Sequence, residues 1–212
     1  MAASSGAVAE LWYARVGEHE AQLDLYSRDY LSEDEQRRQR RYRGRGAAER
    51  YVVTRSLVRG VLSERLGVPP REVPVNRTDT GKPVISGGVH FNVSHSGDLI
   101  LLALSVERAI GVDVERRRDI ARVEALVRRW LSETERTAVV RLGAMGASPS
   151  DAFLRVWSLK EARLKALGVG IAGQSGADEL LAGVEVSPLD DLLASIATDG
   201  DDQGYVGAVA FA

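Results

Sequence analysis

The alternation of hydrophobic and polar positions predicts six short β-strands along the chain. In each of them, apolar residues either alternate with polar ones or form a continuous run of strand length. The predicted strands are residues 11–16, 90–95, 99–105, 110–115, 183–187 and 205–211. The polar stretches 173–178 and 199–204 predict loops, and the second of them predicts a hairpin turn.

Repeated patterns predict helix ends at matching places in the two halves of the chain. The sequence Leu-Ser-Glu-x-Glu occurs at residues 31–35 and again at 131–135. A serine three residues before a glutamate is the capping-box pattern that begins a helix. Similar helical segments then lead to Gly67 and Gly168, where we expect each helix to end.

This repetition predicts a duplicated α+β unit. We expect a pseudo-dimeric monomer of two similar halves, residues 1–105 and 106–212, each a small antiparallel sheet packed on a long helix. Two similar halves with different polar residues usually place a ligand in the cleft between them. In this interpretation the first half supplies a basic face and the second an acidic site.

Composition narrows the class of protein. The chain has 212 residues, of which 44% are hydrophobic and 27% charged, which is enough for an apolar core. Its longest purely apolar run, residues 99–104, is far below the roughly 18 to 20 residues that span a bilayer. Because there is no cysteine, a metal would need carboxylates or histidines as ligands, and we expect a cytoplasmic location without membrane partners.

The positive charge is concentrated in one segment, residues 37–59, which we call the arginine block. It contains nine arginines and a single acid, Glu49, so its local charge is +8. Such a block indicates an anionic ligand, and the alternative is a solvated helix face. The chain has only three lysines, Lys82, Lys160 and Lys165, and each could mark a position that requires a compact charge.

Two acidic residues alternate with valines in the predicted strand at residues 111–115. On a strand, Asp113 and Glu115 point to one face about 7 Å apart. Two carboxylates at this distance repel each other unless a cation lies between them, and Mg²⁺ prefers such oxygen ligands. The alternative is an edge strand with an acidic, solvent-facing side.

Trp157, Glu161 and Lys165 follow at the spacing that places them on one helix face. An ordinary surface ion pair between Glu161 and Lys165 would be worth about 0.2–0.5 kcal/mol. The functional alternative makes Glu161 a third carboxylate for a metal, or a general base, with Lys165 binding phosphate.

Polar side chains also end the predicted strand at residues 90–95. Ser94 and His95 could offer hydrogen bonds to a ligand there, but neighbouring strand residues point to opposite faces and do not form a nucleophile and base pair. No G-x-S-x-G motif occurs, so a serine hydrolase is not expected.

Four segments together resemble the 4′-phosphopantetheinyl transferases of the two-half, surfactin-synthetase-activating type. They are Gly81-Lys82-Pro83, residues 91–96, residues 111–115, and residues 157–162 with Lys165-Ala166. The segments occur in the family's order, and the resemblance covers residues 37 to 170. It implies transfer of the phosphopantetheine arm of coenzyme A (CoA) to a serine of an apo acyl or peptidyl carrier protein, which releases adenosine 3′,5′-bisphosphate.

The resemblance also implies roles for individual residues. Asp113, Glu115 and Glu161 would hold Mg²⁺, for which Mn²⁺ could substitute. Glu161, Lys165 and His95 would be catalytic, with Lys165 and His95 binding phosphate oxygens. The base for the carrier serine remains open between Glu161, Glu135 and a metal-bound water. The residues implied in CoA binding are Arg45, Arg50, Arg77, Lys82, Asn92, Ser94, His95 and Lys165.

Two other functions compete with this interpretation. A non-catalytic nucleic-acid-binding module could use the arginine block. However, the whole chain has a net charge of -2, Tyr42 and Tyr51 are the only aromatic residues within the block, and the acidic residues would have no role. A Mg²⁺-dependent nucleotide hydrolase would need a water-positioning motif, which the sequence lacks. We therefore expect no nucleic-acid partner.

Overall fold

The computed structural model of the protein describes residues 9–79, 81–169, 181–198 and 204–212. Residue contacts divide the chain into unit 1, Met1–Glu107, and unit 2, Arg108–Ala212. The functional roles assigned above to the two halves stay predictions. The loop predicted at 173–178 lies outside the described residues, as does the turn predicted at 199–204 except for Gly204.

Unit 1 contains a three-stranded antiparallel sheet, a short hairpin and one long helix. Its strands are β1 (Glu10–Arg15), β2 (Asn76–Arg77), β3 (Pro83–Val84), β4 (His90–Ser96) and β5 (Leu99–Ser105). Its helices are α1 (Leu23–Asp29), α2 (Glu33–Gln39) and α3 (Arg45–Leu66), with 3-10 turns at Val16–Gln22 and Pro70–Glu72. β5 lies between β1 and β4, and β2 pairs with β3.

Unit 2 contains a second three-stranded antiparallel sheet. Its strands are β6 (Ile110–Arg116), β7 (Glu185–Pro188) and β8 (Tyr205–Phe211). Its described helices are α4 (Val123–Trp130), α5 (Glu133–Ala144), α6 (Pro149–Leu167) and α7 (Asp190–Ser195). β8 lies between β6 and β7, so the last strand of each unit is central. The α+β class is confirmed, and the description of the chain as a pseudo-dimer stays a prediction.

The predicted helix ends are confirmed. Ser32 and Ser132 each cap a helix through a complete capping box, in which serine and glutamate bond each other's backbone N–H. α3 and α6 end at Gly67 and Gly168, whose φ angles of 68° and 72° lie in the left-handed region that favours glycine. In the described part of the chain, no helix combines the length and apolar character needed to cross a membrane.

The core of unit 1 forms where α3 packs on the sheet. Val58 and Leu62 of α3 are buried with Leu102 and Leu104 of the central strand β5. Full burial of such a side chain contributes about 1.5–3 kcal/mol relative to an exposed position. Every residue of β5 is buried, so this strand lies at the centre of the core of unit 1.

A buried carboxylate joins α2 to α3 in the same unit. Glu35 accepts a hydrogen bond from Ser32 N and forms ion pairs with Arg55 and Arg59 of α3. Burial acts to raise the pKa of Glu35, but Arg55 and Arg59 outweigh it and the pKa lies below its usual range. Two members of the arginine block therefore have a structural role.

Unit 2 depends on a close contact between β6 and α6. A Cβ atom at Gly111 would lie 2.1 Å from Ala162 O and 2.3 Å from Ala166 N of α6. Only glycine fits at these distances, because real Cβ contacts are much longer. Glycine within a strand often marks such an approach of two backbones. The contact fixes how far α6 lies from the side chains that follow on β6.

We predict that Gly111→Ala lowers the free energy of unfolding by about 1–3 kcal/mol or more, because the added methyl group forces β6 and α6 apart. Urea denaturation measures this change. Gly143→Ala in α5 is the matched control, since nothing lies within 4 Å of that position and alanine is the better helix former. Equal stability of Gly111→Ala and the wild type would contradict the importance of the contact.

Candidate active site

The β6 face that contacts α6 carries the two alternating acids. Gly111, Asp113 and Glu115 lie on one face because strand side chains alternate. Asp113 is buried and Glu115 is half-buried, so the alternative of an exposed acidic edge strand is wrong for Asp113. Along one backbone edge, β6 pairs with β8, and Asp113 lies opposite Ala208.

Lys165 of α6 contacts this strand directly. Its Nζ atom donates to Asp113 Oδ1 at 2.6 Å and to Val112 O at 3.3 Å. The exposed fraction of the side chain is 7% for Asp113 and 27% for Lys165. Charge-assisted bonds of this kind are stronger than neutral ones, and low exposure reduces screening. The ammonium group of Lys165 is therefore bound to β6. The alternative of an ordinary exposed ion pair within α6 does not describe it.

Glu161 lies one helical turn before Lys165 and is half-buried. Its Oε1 atom is shielded from solvent and makes no hydrogen bond with the described residues. Burial raises the pKa of the Glu161 carboxyl, and the charges of Asp113 and Glu115 raise it further, while Lys165 opposes the rise. The structure therefore brings Asp113, Glu115, Glu161 and Lys165 together at the contact of β6 and α6.

The fit of this cluster to a metal can be judged from its donors. Among the described residues, no three carboxylate or histidine side chains are grouped closely enough to hold a metal ion. The charges of Asp113 and Glu115 act on the Glu161 carboxyl, and one buried oxygen of Glu161 makes no hydrogen bond with the described residues. Carboxylate oxygens are the ligands that Mg²⁺ prefers. Glu115 pairs with Arg118 at 2.9 Å, and Asp113 pairs with Lys165.

Glu135, one of the candidate bases, is held by structural contacts. Its Oε2 atom accepts from Ser132 N at 2.8 Å and from Lys160 Nζ at 2.8 Å. Lys160 is 3% exposed and also donates to Trp130 O. Glu135 thus caps α5 and compensates a buried ammonium group.

An apolar cavity of about 440 Å³ lies beside Glu115 in unit 2. Trp157 lines it and stacks on Phe153 at 5.7 Å between ring centroids, with Trp130 edge-on to Trp157 at 6.2 Å. Trp157 therefore belongs to an aromatic cluster that lines the cavity together with Glu115. The cavity offers space for an uncharged part of a substrate.

In unit 1, β4 carries three of the implied substrate ligands. Asn92 and Ser94 are buried on one strand face, whereas His95 is exposed. The opposite orientation of Ser94 and His95 agrees with the prediction that they form no nucleophile and base pair. Buried polar side chains two residues apart give this strand a polar face.

The hairpin of β2 and β3 contacts β4 and carries two cations. Arg77 is exposed and its Nη1 atom donates to Gly81 O at 2.9 Å. Lys82 is half-buried, and this burial lowers its pKa because desolvation disfavours the ammonium form. An anion bound to Lys82 would offset that cost.

The two implied members of the arginine block lie on α3. Arg45 begins the helix with an 85% exposed side chain and pairs with Glu49. Surface pairs of this kind contribute about 0–1 kcal/mol. Arg50 is half-buried. Lys82 is thus better placed than Arg45 to bind a phosphate, since its charge is partly desolvated.

Sequence reasoning missed the roles of Gly111, Lys160 and Arg118. A glycine inside a strand pattern was the available signal for the close approach to α6. The scarcity of lysine singled out Lys160, but its partner Glu135 lies 25 residues away and no local pattern connects them. Arg118, which pairs with Glu115, is one of three consecutive arginines, and no sequence pattern distinguishes it from the other two.

We predict that Glu135→Gln lowers the free energy of unfolding by about 3–5 kcal/mol, because Lys160 would keep a buried charge without its partner. Glu133→Gln in the same helix turn is the control, since the Glu133 side chain is 89% exposed and its loss should cost less than about 0.5 kcal/mol. Chemical denaturation of both variants measures these changes in the free energy of unfolding. A Glu135→Gln variant as stable as the control would contradict the structural role.

Comparison with known proteins places both units in one family. Residues 109–205 match the family described as the 4′-phosphopantetheinyl transferase superfamily, and residues 19–107 match that described as 4′-phosphopantetheinyl transferase, N-terminal. The 4′-phosphopantetheinyl transferase HetI of Nostoc is 34% identical over 168 residues, covering 76% of this chain and 69% of that protein.

Two further relatives are matched over smaller shares of their length. A phosphopantetheinyl transferase of Thraustochytrium is 34% identical, covering 66% of this chain and 54% of its own. The 4′-phosphopantetheinyl transferase Sfp of Bacillus subtilis is 28% identical, covering 68% and 62%. The crystal structure of a holo-(acyl-carrier-protein) synthase of Bacillus anthracis in complex with CoA has a TM-score of 0.38 and 20% identity, covering 46% of this chain and 92% of that one.

Proposed function

We propose that this chain, which belongs to the 4′-phosphopantetheinyl transferase superfamily, transfers the phosphopantetheine arm of CoA to a serine hydroxyl of an apo acyl or peptidyl carrier protein. The serine oxygen forms a bond to the phosphorus next to pantetheine. The bond from that phosphorus to the bridging oxygen breaks, and adenosine 3′,5′-bisphosphate leaves. The observation that carries the proposal is the cluster of Asp113, Glu161 and Lys165, which lies within the region that matches the superfamily.

Asp113, Glu115 and Glu161 are the residues we propose to hold Mg²⁺, with Mn²⁺ as a substitute. The ion would act as a Lewis acid that neutralises the charge of the pyrophosphate. The raised pKa of Glu161 supports this assignment, because a cation would relieve the repulsion from Asp113 and Glu115 that contributes to the rise.

Lys165 and His95 are proposed to bind phosphate oxygens. The contact of Lys165 with Asp113 restrains its ammonium group beside β6, so less side-chain freedom is lost when phosphate binds. His95 is exposed on β4 and can donate from its imidazole ring.

Glu161 is the favoured base for the carrier serine. Its carboxylate lies with Asp113 and Lys165 at the contact of β6 and α6, where it would accept the serine proton. Glu135 is less suitable because Lys160 and Ser132 already occupy Oε2. The Oε1 atom of Glu161, which makes no hydrogen bond with the described residues, leaves an acceptor available for the serine proton.

The adenosine end of CoA is proposed to bind to unit 1. Lys82 and Arg77 of the hairpin would bind the 3′-phosphate, and Asn92 and Ser94 of β4 would offer neutral hydrogen bonds. Arg45 and Arg50 are retained as secondary candidates. The monomeric state and the cytoplasmic location stay predictions from the sequence.

The transfer reaction is tested by intact-mass measurement of an apo carrier protein incubated with the full chain, CoA and Mg²⁺. We expect the carrier mass to increase by one phosphopantetheine group and the reaction to stop in excess EDTA. Glu161→Gln should lower the single-turnover rate roughly 10²- to 10³-fold, since it removes a group that acts in the transition state.

Glu124→Gln on α4 is the control for this experiment, because Glu124 is exposed. It should transfer at the wild-type rate. No mass increase with any carrier protein would contradict the proposed function. Full turnover in EDTA would exclude the metal, and a wild-type rate for Glu161→Gln would exclude its catalytic role.

Binding of the 3′-phosphate is tested separately with CoA and dephospho-CoA. We expect Lys82→Gln to weaken CoA binding roughly ten- to hundredfold, because charge-assisted bonds contribute about 1.5–3 kcal/mol. Dephospho-CoA binding should change little, and calorimetric titration measures both. Arg71→Gln, an exposed cation of the same unit, is the control. Equal losses of affinity for CoA and dephospho-CoA would show that Lys82 does not bind the 3′-phosphate.

A further inference from the structure

Arg118 has no role in the transfer reaction proposed above, yet it contacts one of the three carboxylates proposed to hold the metal. Its Nη1 atom donates to Glu115 Oε2 at 2.9 Å. The same atom donates to Arg116 O at 2.9 Å, where β6 ends. These two bonds hold the guanidinium group of Arg118 beside the Glu115 carboxylate.

The two carboxylates of β6 differ in the exposure of their counterions. The side chain of Lys165, which bonds Asp113, is 27% exposed, and that of Asp113 is 7% exposed. The side chain of Arg118 is 51% exposed, and that of Glu115 is 21% exposed. Water and salt screen exposed ion pairs, and long side chains lose freedom when they form them, so such pairs contribute little net free energy. The contact between Glu115 and Arg118 is therefore the easier of the two to break.

Binding of one ion by all three carboxylates requires a change in the side chains. Among the described residues, no three carboxylate or histidine side chains are grouped closely enough to hold a metal ion. At least one of Asp113, Glu115 and Glu161 therefore has to move. Glu115 lies near the end of β6 and lines the cavity of unit 2, whereas Asp113 is buried in the middle of the strand. Movement of Glu115 thus costs less than movement of Asp113.

The charge of Arg118 also opposes a cation at Glu115. A guanidinium group that bonds a carboxylate lies close to any cation bound to the same carboxylate, and like charges repel most strongly at short distance. Arginine stays protonated in proteins, so Arg118 does not lose its charge to relieve this repulsion. Its side chain has to turn away from Glu115 instead, and its high exposure leaves it free to do so.

We propose that Arg118 is a positioning residue that competes with the divalent cation for Glu115. In the free protein it holds the Glu115 carboxylate, and it releases this carboxylate when the ion binds. Arg118 thereby lowers the affinity of the free protein for the ion. This inference rests on the proposed function, because it takes Asp113, Glu115 and Glu161 as the metal ligands.

The test is a titration of the full chain with Mn²⁺ in the absence of CoA. The electron paramagnetic resonance signal of free Mn²⁺ gives the dissociation constant without any enzymatic reaction. We expect Arg118→Gln to bind Mn²⁺ roughly three- to tenfold more tightly than the wild type, because it removes both the competing charge and the charge-assisted bond to Glu115. Damage to the fold would weaken Mn²⁺ binding, so a merely structural role of Arg118 predicts the opposite change.

Two further variants are controls for the titration. Arg128→Gln removes the same charge from an exposed position on α4, and it should bind Mn²⁺ within about twofold of the wild type because solvent screens distant charges. Arg118→Lys keeps a positive charge near Glu115 without the guanidinium fork. Its affinity for Mn²⁺ should lie between those of the wild type and Arg118→Gln.

Three results would overturn the proposal. They are Mn²⁺ binding by Arg118→Gln that is no tighter than that of the wild type, equal gains in Arg118→Gln and Arg128→Gln, and the absence of Mn²⁺ binding by both the wild type and Arg118→Gln. Equal gains would assign the change to net charge alone.

Phosphopantetheine transfer separates failure of this proposal from failure of the proposed function. A wild type that binds Mn²⁺ and adds mass to a carrier protein, with no gain in Arg118→Gln, would overturn only the role of Arg118. A wild type that neither binds Mn²⁺ nor adds mass to any carrier protein would overturn both.

Discussion

The absence of a side chain at Gly111 is the constraint on which the candidate site depends. It lets the α6 backbone approach β6 until only a hydrogen atom fits between them. From that contact, strand alternation sets the position of Asp113, and one further helical turn of α6 sets that of Lys165. Their bond of 2.6 Å follows from a backbone approach that no larger residue would allow.

Two glutamates of unit 2, Glu135 and Glu161, have very different surroundings. Glu135 and Lys160 neutralise each other in the interior and stabilise the start of α5. Glu161 instead retains a buried oxygen that bonds no residue in the described ranges, and its pKa is raised by burial and by two neighbouring carboxylates. A carboxyl group left in this state costs stability, and sites that bind substrates or metals are where such a cost is commonly tolerated.

Local patterns predicted the parts of the fold that local interactions determine. The capping boxes at Ser32 and Ser132 and the glycines that end α3 and α6 involve residues close in sequence, so their geometry follows from the pattern. Strand alternation likewise placed Asp113 and Glu115 on one face.

Long-range partners were beyond the reach of these patterns. Helical spacing pointed to Glu161 as the partner of Lys165, whereas the structure bonds Lys165 to Asp113, 52 residues away. The bond between Lys160 and Glu135, 25 residues apart, likewise follows from no local pattern.

The most direct test of the account is a crystal structure grown with CoA and Mn²⁺, with anomalous diffraction used to locate the metal. The account predicts an anomalous peak within about 2.0–2.6 Å of carboxylate oxygens of Asp113 and Glu161, with Lys165 Nζ on a phosphate oxygen of CoA. CoA bound with no metal peak at these carboxylates, or with the peak at other residues, would contradict it.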